Sequence, residues 1–210
     1  MMIGLTPENS IGEIDEPELI QHLIRDWHWG SAVLANFALP PASRLIPELM
    51  LTHFGRRDDL DLLCARPSAP AEAVAIQFKL AKVKASTYYT LQPNKLHELK
   101  KLFRQTNPLV ELGFHRVFAC LVVLIDARDT PPGLAICGGL TEELGPVIDS
   151  SISTEGLNAR AGFVRVDLVQ DSGAAPLTSG EIKGRLLRYA TTQPQSRKVS
   201  AWVAEQLGAA

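Results

Sequence analysis

Three side chains between residues 61 and 79 have the types and spacing needed to hydrolyse a phosphodiester. Asp61 offers a carboxylate, Gln77 a neutral carbonyl oxygen, and Lys79 an ammonium group two residues further on. A hard cation such as Mg²⁺ keeps several waters, so one or two protein oxygens are enough to hold it. The cation activates bound water and polarises the phosphate, while the ammonium group stabilises the charge that develops there. We therefore expect Asp61 and Gln77 on the metal and Lys79 at the phosphate.

The pattern of an acid or amide followed two residues later by Lys occurs three times, at positions 77–79, 98–100 and 181–183. The predicted secondary structure around each copy indicates which one could form a site. The second and third copies lie in segments of helical period, PNKLHELKKLF and SGEIKGRLLRY, where residues two apart point to different sides. Around the first copy, apolar residues alternate with Gln77 and Lys79, which predicts a strand with one buried face. Only this copy is expected to place both polar side chains on one face.

A second strand is predicted upstream, over 60–65, and RPSAPAEA supplies the prolines and small residues of a hairpin connection. Asp61, Leu63 and Ala65 are alternate residues of this strand and therefore point to one side of it. If that side is also the side of Gln77 and Lys79, the three polar groups meet across two neighbouring strands. A glutamine in place of a second acid leaves the site one negative charge short, so Glu48, in preference to Asp59, is expected to assist.

These residues and the elements around them resemble the PD-(D/E)xK superfamily of restriction-endonuclease-like nucleases, particularly its modification-dependent restriction branch. The resemblance covers about 43–126. In that family a helix bearing a Glu precedes an Asp-led strand, a strand with (D/E/Q)-x-K, a crossing helix and a further buried strand. The matching segments here are SRLIPELMLTHFG, DLLCA, AVAIQFKLA, PNKLHELKKLFRQ and HRVFACLVVLID. The chain departs from the pattern at Leu60, where the family has Pro, and at Gln77.

The resemblance implies an α/β fold with a restriction-endonuclease-like core, a central mixed β-sheet flanked by helices. It also implies a Mg²⁺-dependent DNA endonuclease, with Mn²⁺ as a possible substitute, acting in defence against foreign DNA or in repair. The expected catalytic residues are Asp61, Gln77, Lys79 and Glu48, and all of these except Lys79 are expected to bind the metal. An inactive relative that binds nucleic acid or protein is the alternative, supported by the missing acid. A fold without any link to nucleases is a third.

The charge distribution points to the same segment. The chain carries a formal charge of −2, which argues against a generally basic surface, yet residues 77–104 contain seven Lys or Arg and one acid. Lys82, Lys84, Lys100 and Lys101 are therefore expected to contact the phosphates of a nucleic acid, with DNA as the expected partner. The plain alternative is a solvated helix face followed by a lysine-rich turn.

Length and composition are typical of one domain of 210 residues, with 46% hydrophobic residues. We expect a nuclease-like core over 43–126, a helical extension over 1–42 and a strand-and-helix extension over 127–210. Cys64, Cys120 and Cys137 lack CxxC spacing and are expected to be buried free thiols in a reducing compartment. The N-terminus resembles no signal peptide, and the apolar run 117–125 is too short to cross a bilayer. A cytoplasmic protein without membrane contact is expected, as a possible homodimer or with a separate targeting subunit.

Periodicity predicts the remaining elements. A helix over 15–27 has a capping box formed by Asp15 and Glu18, and the run 117–125 indicates a strand buried on both faces. A further strand is predicted over 163–169. The C-terminal part is expected to contain a helix beginning near Ser179, capped by Thr178 and Glu181, and a last helix over 197–207.

Overall fold

The computed structural model describes residues 14–85, 98–127, 145–170 and 181–208. In these ranges the chain forms one sheet whose six strands follow chain order: β1 (Arg44–Met50), β2 (Asp59–Arg66), β3 (Ala69–Lys84), β4 (Arg116–Asp126), β5 (Gly162–Gln170) and β6 (Glu181–Arg188). The helices are α1 (Glu16–Arg25), α2 (Trp27–Leu34), α3 (Glu98–Leu112), α4 (Gly145–Ser151) and α5 (Arg197–Gln206), with 3-10 turns at Ala35–Phe37 and Thr52–Phe54. Strands β1, β2 and β3 are antiparallel, β3, β4 and β5 are parallel, and β6 is antiparallel to β5. The predicted α/β class with a mixed sheet flanked by helices is confirmed.

Helices cover the sheet on both faces, and each face has its own apolar core. Helices α1 and α2 pack on one core through residues such as Leu19 and Leu23, while α3 and α5 pack on the other through Phe103 and Trp202. Strand β3 is consequently buried at every residue from 73 to 78. The prediction of a single buried face for this strand was wrong, because alternation shows which residues share a face and not what covers the opposite one.

Several predicted elements are confirmed, with bounds that shift by a few residues. Helix α1 has the expected capping box: the Glu18 N–H donates to Asp15 Oδ1 at 2.8 Å, and the Asp15 N–H donates to Glu18 Oε2 at 3.2 Å. Strands β4 and β5 occur where expected, and β4 is buried on both faces. In α5, the apolar positions Val199, Trp202, Val203 and Leu207 are buried in the core. The hairpin between β2 and β3 is tight, since Arg66 already pairs with Ala69.

The segment SRLIPELMLTHFG is not a helix, so the prediction of a helix bearing Glu48 was wrong. It forms strand β1 and a short 3-10 turn. Strand β1 is at the edge of the sheet and pairs only with β2 among the described residues, with Leu45 opposite Cys64 and Leu49 opposite Leu60. An edge strand accommodates a proline such as Pro47, whereas a helix interior does not.

The helix predicted from Ser179 was also wrong, because residues 181–188 form strand β6 at the opposite edge. Ile182 and Leu186 pack against the core beneath α1 and α2, and Gly184 lies against Asn36, where an added Cβ would come within 2.0 Å of Asn36 Nδ2. Glu181 and Lys183 therefore point to one face of a strand. The argument that a helix separates these two side chains does not apply to this third copy of the acid-x-Lys pattern. The copy at 98–100 does lie in α3. Thr178 and Ser179 lie outside the described residues.

Two further expectations concern the cysteines and the membrane. Cys64 and Cys120 are buried free thiols, as expected, and burial raises the pKa of both. Cys137 lies outside the described residues. In the described part of the chain, no helix combines the length and the apolar character needed to cross a bilayer.

Candidate functional site

The candidate site lies where β2 and β3 separate. Their ladder runs from Arg66 opposite Ala69 to Leu62 opposite Ile76, and residue 61 is the first position beyond it. Leu63 pairs with Ala75, and both belong to the core beneath α3 and α5. Residues paired across antiparallel strands share a face, so the parity of Asp61 does coincide with that of Gln77 and Lys79. This conditional prediction is confirmed.

Two carboxylates take the place of strand carbonyls beyond that point. The Phe78 N–H donates to Asp61 Oδ2 at 2.6 Å, and the Leu80 N–H donates to Glu16 Oε2 at 2.8 Å. These are alternate residues of β3, so both N–H groups point to the side from which β2 has departed. Replacing the missing strand with carboxylates satisfies the backbone and brings two acids to one opening in the sheet.

Glu16 also holds the lysine of the predicted site. Its carboxylate oxygens lie 3.1 Å and 3.3 Å from Lys79 Nζ, and both side chains are mostly buried, with exposed fractions of 22% for Glu16 and 13% for Lys79. Glu16 is the first residue of α1, so this helix fixes the position of the ammonium group from the opposite side of the opening. The role of α1 extends beyond packing.

Gln77 is buried without a hydrogen-bond partner. Its side chain is 1% exposed, and neither Oε1 nor Nε2 bonds to any described residue. Burying an amide without a partner costs about 1–3 kcal/mol, so folding alone gives no reason for a glutamine here. The position suits an amide that has a ligand in the working protein.

Asp61 favours its protonated form. Burial, the largest cause, raises the pKa of this carboxyl to about 8, and the charges of Glu16 and Asp59 add to the rise. The Phe78 N–H and the Lys79 ammonium lower it, though by less. Because the charges of Glu16, Asp59 and Lys79 all act on Asp61, these side chains form one electrostatic cluster.

Glu48 is placed differently from the other predicted site residues. It lies on β1 between the pairs formed by Pro47 with Leu62 and by Leu49 with Leu60, which puts its backbone next to Asp61. Its side chain is exposed, its φ is 54°, and it makes no ion pair or hydrogen bond with a described residue. The structure therefore links Asp61 and Lys79 electrostatically with Glu16, and it places Gln77 on the same face of the sheet.

The four lysines expected to contact nucleic acid lie on two elements. Lys82 is half-buried and Lys84 exposed near the end of β3, while Lys100 and Lys101 are exposed on the first turns of α3. Helix α3 packs on β3 and β4. Lys82 and Lys84 thus lie on the strand that carries Gln77 and Lys79, and Lys100 and Lys101 lie on the helix that follows it. The contact of all four with nucleic acid stays a prediction.

The donor set at the opening fits a hard divalent cation with few protein ligands. Asp61 supplies a carboxylate and Gln77 a carbonyl oxygen that bonds to nothing else described, which is the oxygen chemistry that Mg²⁺ prefers. Both Glu16 oxygens are engaged by Lys79 and Leu80. Across the described ranges, His, Cys, Asp and Glu form no group of three suited to a metal ion. A cation here would rest on one carboxylate, one amide and water.

Comparison with known proteins adds no relative: no family model, no curated protein and no solved structure matches this chain. The geometry of the opening is therefore the basis for a functional argument.

Sequence reasoning missed Glu16. The residue was visible only as an acid in the first turn of a capped helix, a common place for an acid because it favours the helix dipole. No spacing links position 16 to position 79. The resemblance did require a Glu on a helix before the Asp-led strand, and α1 is the helix that carries one.

Proposed function

We propose that the protein is a metal-dependent endonuclease that hydrolyses DNA phosphodiester bonds at the opening between β2 and β3. The observation that carries this proposal is the buried, unpartnered Gln77 beside Asp61 and Lys79. The strand and helix order supports it as well. The Asp61 strand, the Lys79 strand, a helix and a parallel buried strand follow one another as the PD-(D/E)xK resemblance leads us to expect, whereas the helix bearing Glu16 is separated from them by α2 and β1.

The proposed roles follow from the chemistry of each group. Asp61 and Gln77 hold the Mg²⁺, or Mn²⁺, through oxygen, and the bound ion supplies a water of lowered pKa together with Lewis-acid polarisation of the phosphate. Lys79 stabilises the negative charge that develops on the scissile phosphate. Glu16 is a positioning residue, because it fixes the Lys79 ammonium and the Leu80 N–H. Lys82, Lys84, Lys100 and Lys101 supply contacts to the DNA backbone.

Metal binding is expected to release a proton. At pH 7 an Asp61 carboxyl with a pKa of about 8 is mostly protonated, and a bound cation requires it ionised. Calorimetric titration with Mn²⁺ in buffers of different ionisation enthalpy measures this release directly. About one proton per metal is expected from wild type and none from Asp61→Asn. Equal heats in all buffers would remove Asp61 from the metal site.

The decisive experiment is cleavage of plasmid and single-stranded DNA by the purified protein in Mg²⁺, Mn²⁺ or EDTA. Cleavage that needs a metal and is lost in both Asp61→Ala and Lys79→Ala supports the proposal. A matched pair of variants, Glu16→Gln and Glu48→Gln, identifies which glutamate takes part. We expect a large loss for Glu16→Gln and almost none for Glu48→Gln. Absence of cleavage by wild type on both substrates contradicts the proposal.

The second candidate function is a catalytically inactive member of the same fold that binds nucleic acid or another protein. Two observations favour it: Lys79 is already paired with Glu16, and burial favours a protonated, uncharged Asp61. DNA binding without cleavage in any metal, unchanged in Asp61→Asn, would support this function.

A further inference from the structure

A cleft of about 780 Å³ lies between α3 and the segment 152–156. Its apolar lining is formed by Leu99, Phe103 and Ile152, which belong to the core beneath α3 and α5 or pack against it. Pockets for small organic groups have volumes of about 300–1,000 Å³ and are mostly apolar with a few polar groups. The cleft therefore has the size and the lining that suit a flat organic group.

Two cations border this apolar surface. Lys100 and Arg104 lie four residues apart on α3, both are exposed, and neither makes an ion pair or hydrogen bond with a described residue. Like charges at this spacing repel each other and destabilise a helix by a few tenths of a kcal/mol. Glu155 on the opposite side is the single acid among the lining residues. The pair of cations suits an anionic ligand.

The cleft is held open by Asn107. Its Nδ2 donates to the Gly156 carbonyl at 2.8 Å, and its Oδ1 accepts the Asn158 N–H at 2.8 Å. One side chain of α3 thus fixes the backbone of the facing segment by two hydrogen bonds. A recognition pocket gains from such preorganisation, because less ordering is required when the ligand binds.

We propose that this cleft binds one unpaired nucleotide of a DNA strand, with the base on the apolar surface and the adjoining phosphates at Lys100 and Arg104. The inference rests on the proposed function for its choice of ligand. Planar bases bind to apolar and aromatic surfaces, and phosphates bind to exposed Lys and Arg, so the two halves of the cleft match the two halves of a nucleotide. The site would hold the substrate strand at a nucleotide other than the one that carries the scissile phosphate.

The test compares a short oligodeoxyadenylate with an abasic strand of equal length and charge, both binding to the full chain in EDTA. Wild type is expected to bind the base-bearing strand about 10-fold more tightly, since stacking of one base supplies a factor of this order. Ser153→Leu, at an exposed position in the cleft lining, should fill the cleft without adding an aromatic ring and abolish the preference. Ser153→Ala is the control, because it adds no volume to the cleft, and it should keep the preference for the base-bearing strand.

Charge variants test the second half of the site. Lys100→Gln with Arg104→Gln should weaken binding of the base-bearing strand about 10-fold or more and reduce its preference over the abasic strand. Lys101→Gln removes a neighbouring cation that does not line the cleft, so it should weaken both strands equally and only slightly. Glu155→Gln should tighten DNA binding, because it removes a negative charge from the cleft. A variant that merely folds less well would bind DNA more weakly.

The outcomes separate this inference from the proposed function. No preference for the base-bearing strand in wild type, or a preference that survives Ser153→Leu, overturns the nucleotide site even if metal-dependent cleavage is found. A preference that depends on the cleft, in a protein that cuts no DNA, supports the nucleotide site and overturns the nuclease. Lys79→Ala should leave the preference unchanged in either case.

Discussion

Two groups of buried ionisable side chains lie on the same face of the sheet and differ in how their charges are balanced. At the opening between β2 and β3, Asp61 has a raised pKa and Gln77 has no hydrogen-bond partner in the part of the chain that the structure describes. On β5, the fully buried Arg165 pairs with Asp167 at 2.9 Å and with Asp149 of α4 at 2.9 Å. The register places Lys79, Leu121 and Arg165 in one row, so the two groups are about 10 Å apart.

The difference separates a structural network from a candidate site. Around Arg165, every charge has a nearby opposite charge, and Arg185 adds a further contact to Asp149 at 3.8 Å. Such a network offsets part of the cost of burial within the protein itself, although burial still raises the pKa of Asp149. At Asp61 the Phe78 N–H and the Lys79 ammonium offset only part of that cost, and Gln77 has no hydrogen-bond partner among the described residues. Unbalanced, buried polar groups in an opening are typical of functional sites, where a ligand completes the balance.

The largest effect is expected from breaking the balanced network. Arg165→Met removes the cation that pairs with the buried Asp167 carboxylate and leaves Asp149 with the longer contact to Arg185, so the free energy of unfolding should fall by about 3–5 kcal/mol. Urea denaturation measures this change. The double variant Arg165→Met with Asp167→Leu should recover part of the loss. A cost below about 1 kcal/mol for the single variant would remove the contrast with the candidate site.

Removing the cation of the other group should change catalysis more than stability. Lys79→Met is expected to lower the cleavage rate by about 10²–10³-fold, the usual effect of losing one group that stabilises transition-state charge. Its free energy of unfolding should fall by less than that of Arg165→Met. Lys198→Met, at an exposed position of α5 that is not among the proposed DNA contacts, is the control and should retain most of the activity. Equal losses in the two variants would contradict the assignment.

Gln77→Leu should stabilise the protein while reducing its activity. The substitution removes a buried amide without a partner, so we expect the free energy of unfolding to rise by about 1–3 kcal/mol. Thermal and urea denaturation measure the gain. Gln77→Glu restores the acid of the PD-(D/E)xK pattern, and Mn²⁺ titration should show tighter metal binding. Destabilisation by Gln77→Leu would mean that the amide has a structural partner.

Stability should depend on pH through Asp61. The folded protein keeps this proton up to about pH 8, whereas an unfolded aspartate loses it near pH 4. Between these values the unfolded state binds fewer protons, so stability should fall as pH rises, by about 1 kcal/mol per pH unit. Urea midpoints for wild type and Asp61→Asn at pH 5 and pH 8 test the sign. A decrease of the same size in the variant would assign the effect to other groups.

The smallest effect is expected at Glu48. Its side chain is exposed and lacks an ion pair within the described residues, so Glu48→Gln should change the free energy of unfolding by less than about 0.5 kcal/mol. Its cleavage rate should stay within about twofold of wild type. A large loss of activity here would restore Glu48 to the metal site and would lessen the case for Glu16.

The buried elements of the fold were predictable from the sequence, and the edges of the sheet were not. Strands β2, β3, β4 and β5 and helices α1, α3 and α5 have strong apolar periods, because each packs on a large core. Strands β1 and β6 are short edge strands whose mixed polar sequences also fit a helix. Pairing with β2 and with β5 decides their structure, and a local pattern does not contain that information.

The sequence by itself determined that Gln77 and Lys79 share one face of a strand, and the register in the structure decided that Asp61 of the neighbouring strand faces the same side. Alternation is a local property of the extended chain, and the short hairpin fixes the register. Only the tertiary structure decided that β2 leaves β3 at Asp61, that Glu16 reaches Lys79 from α1, and that Gln77 is buried without a partner. These features depend on how helices pack across the sheet, and burial and charge proximity arise from that packing.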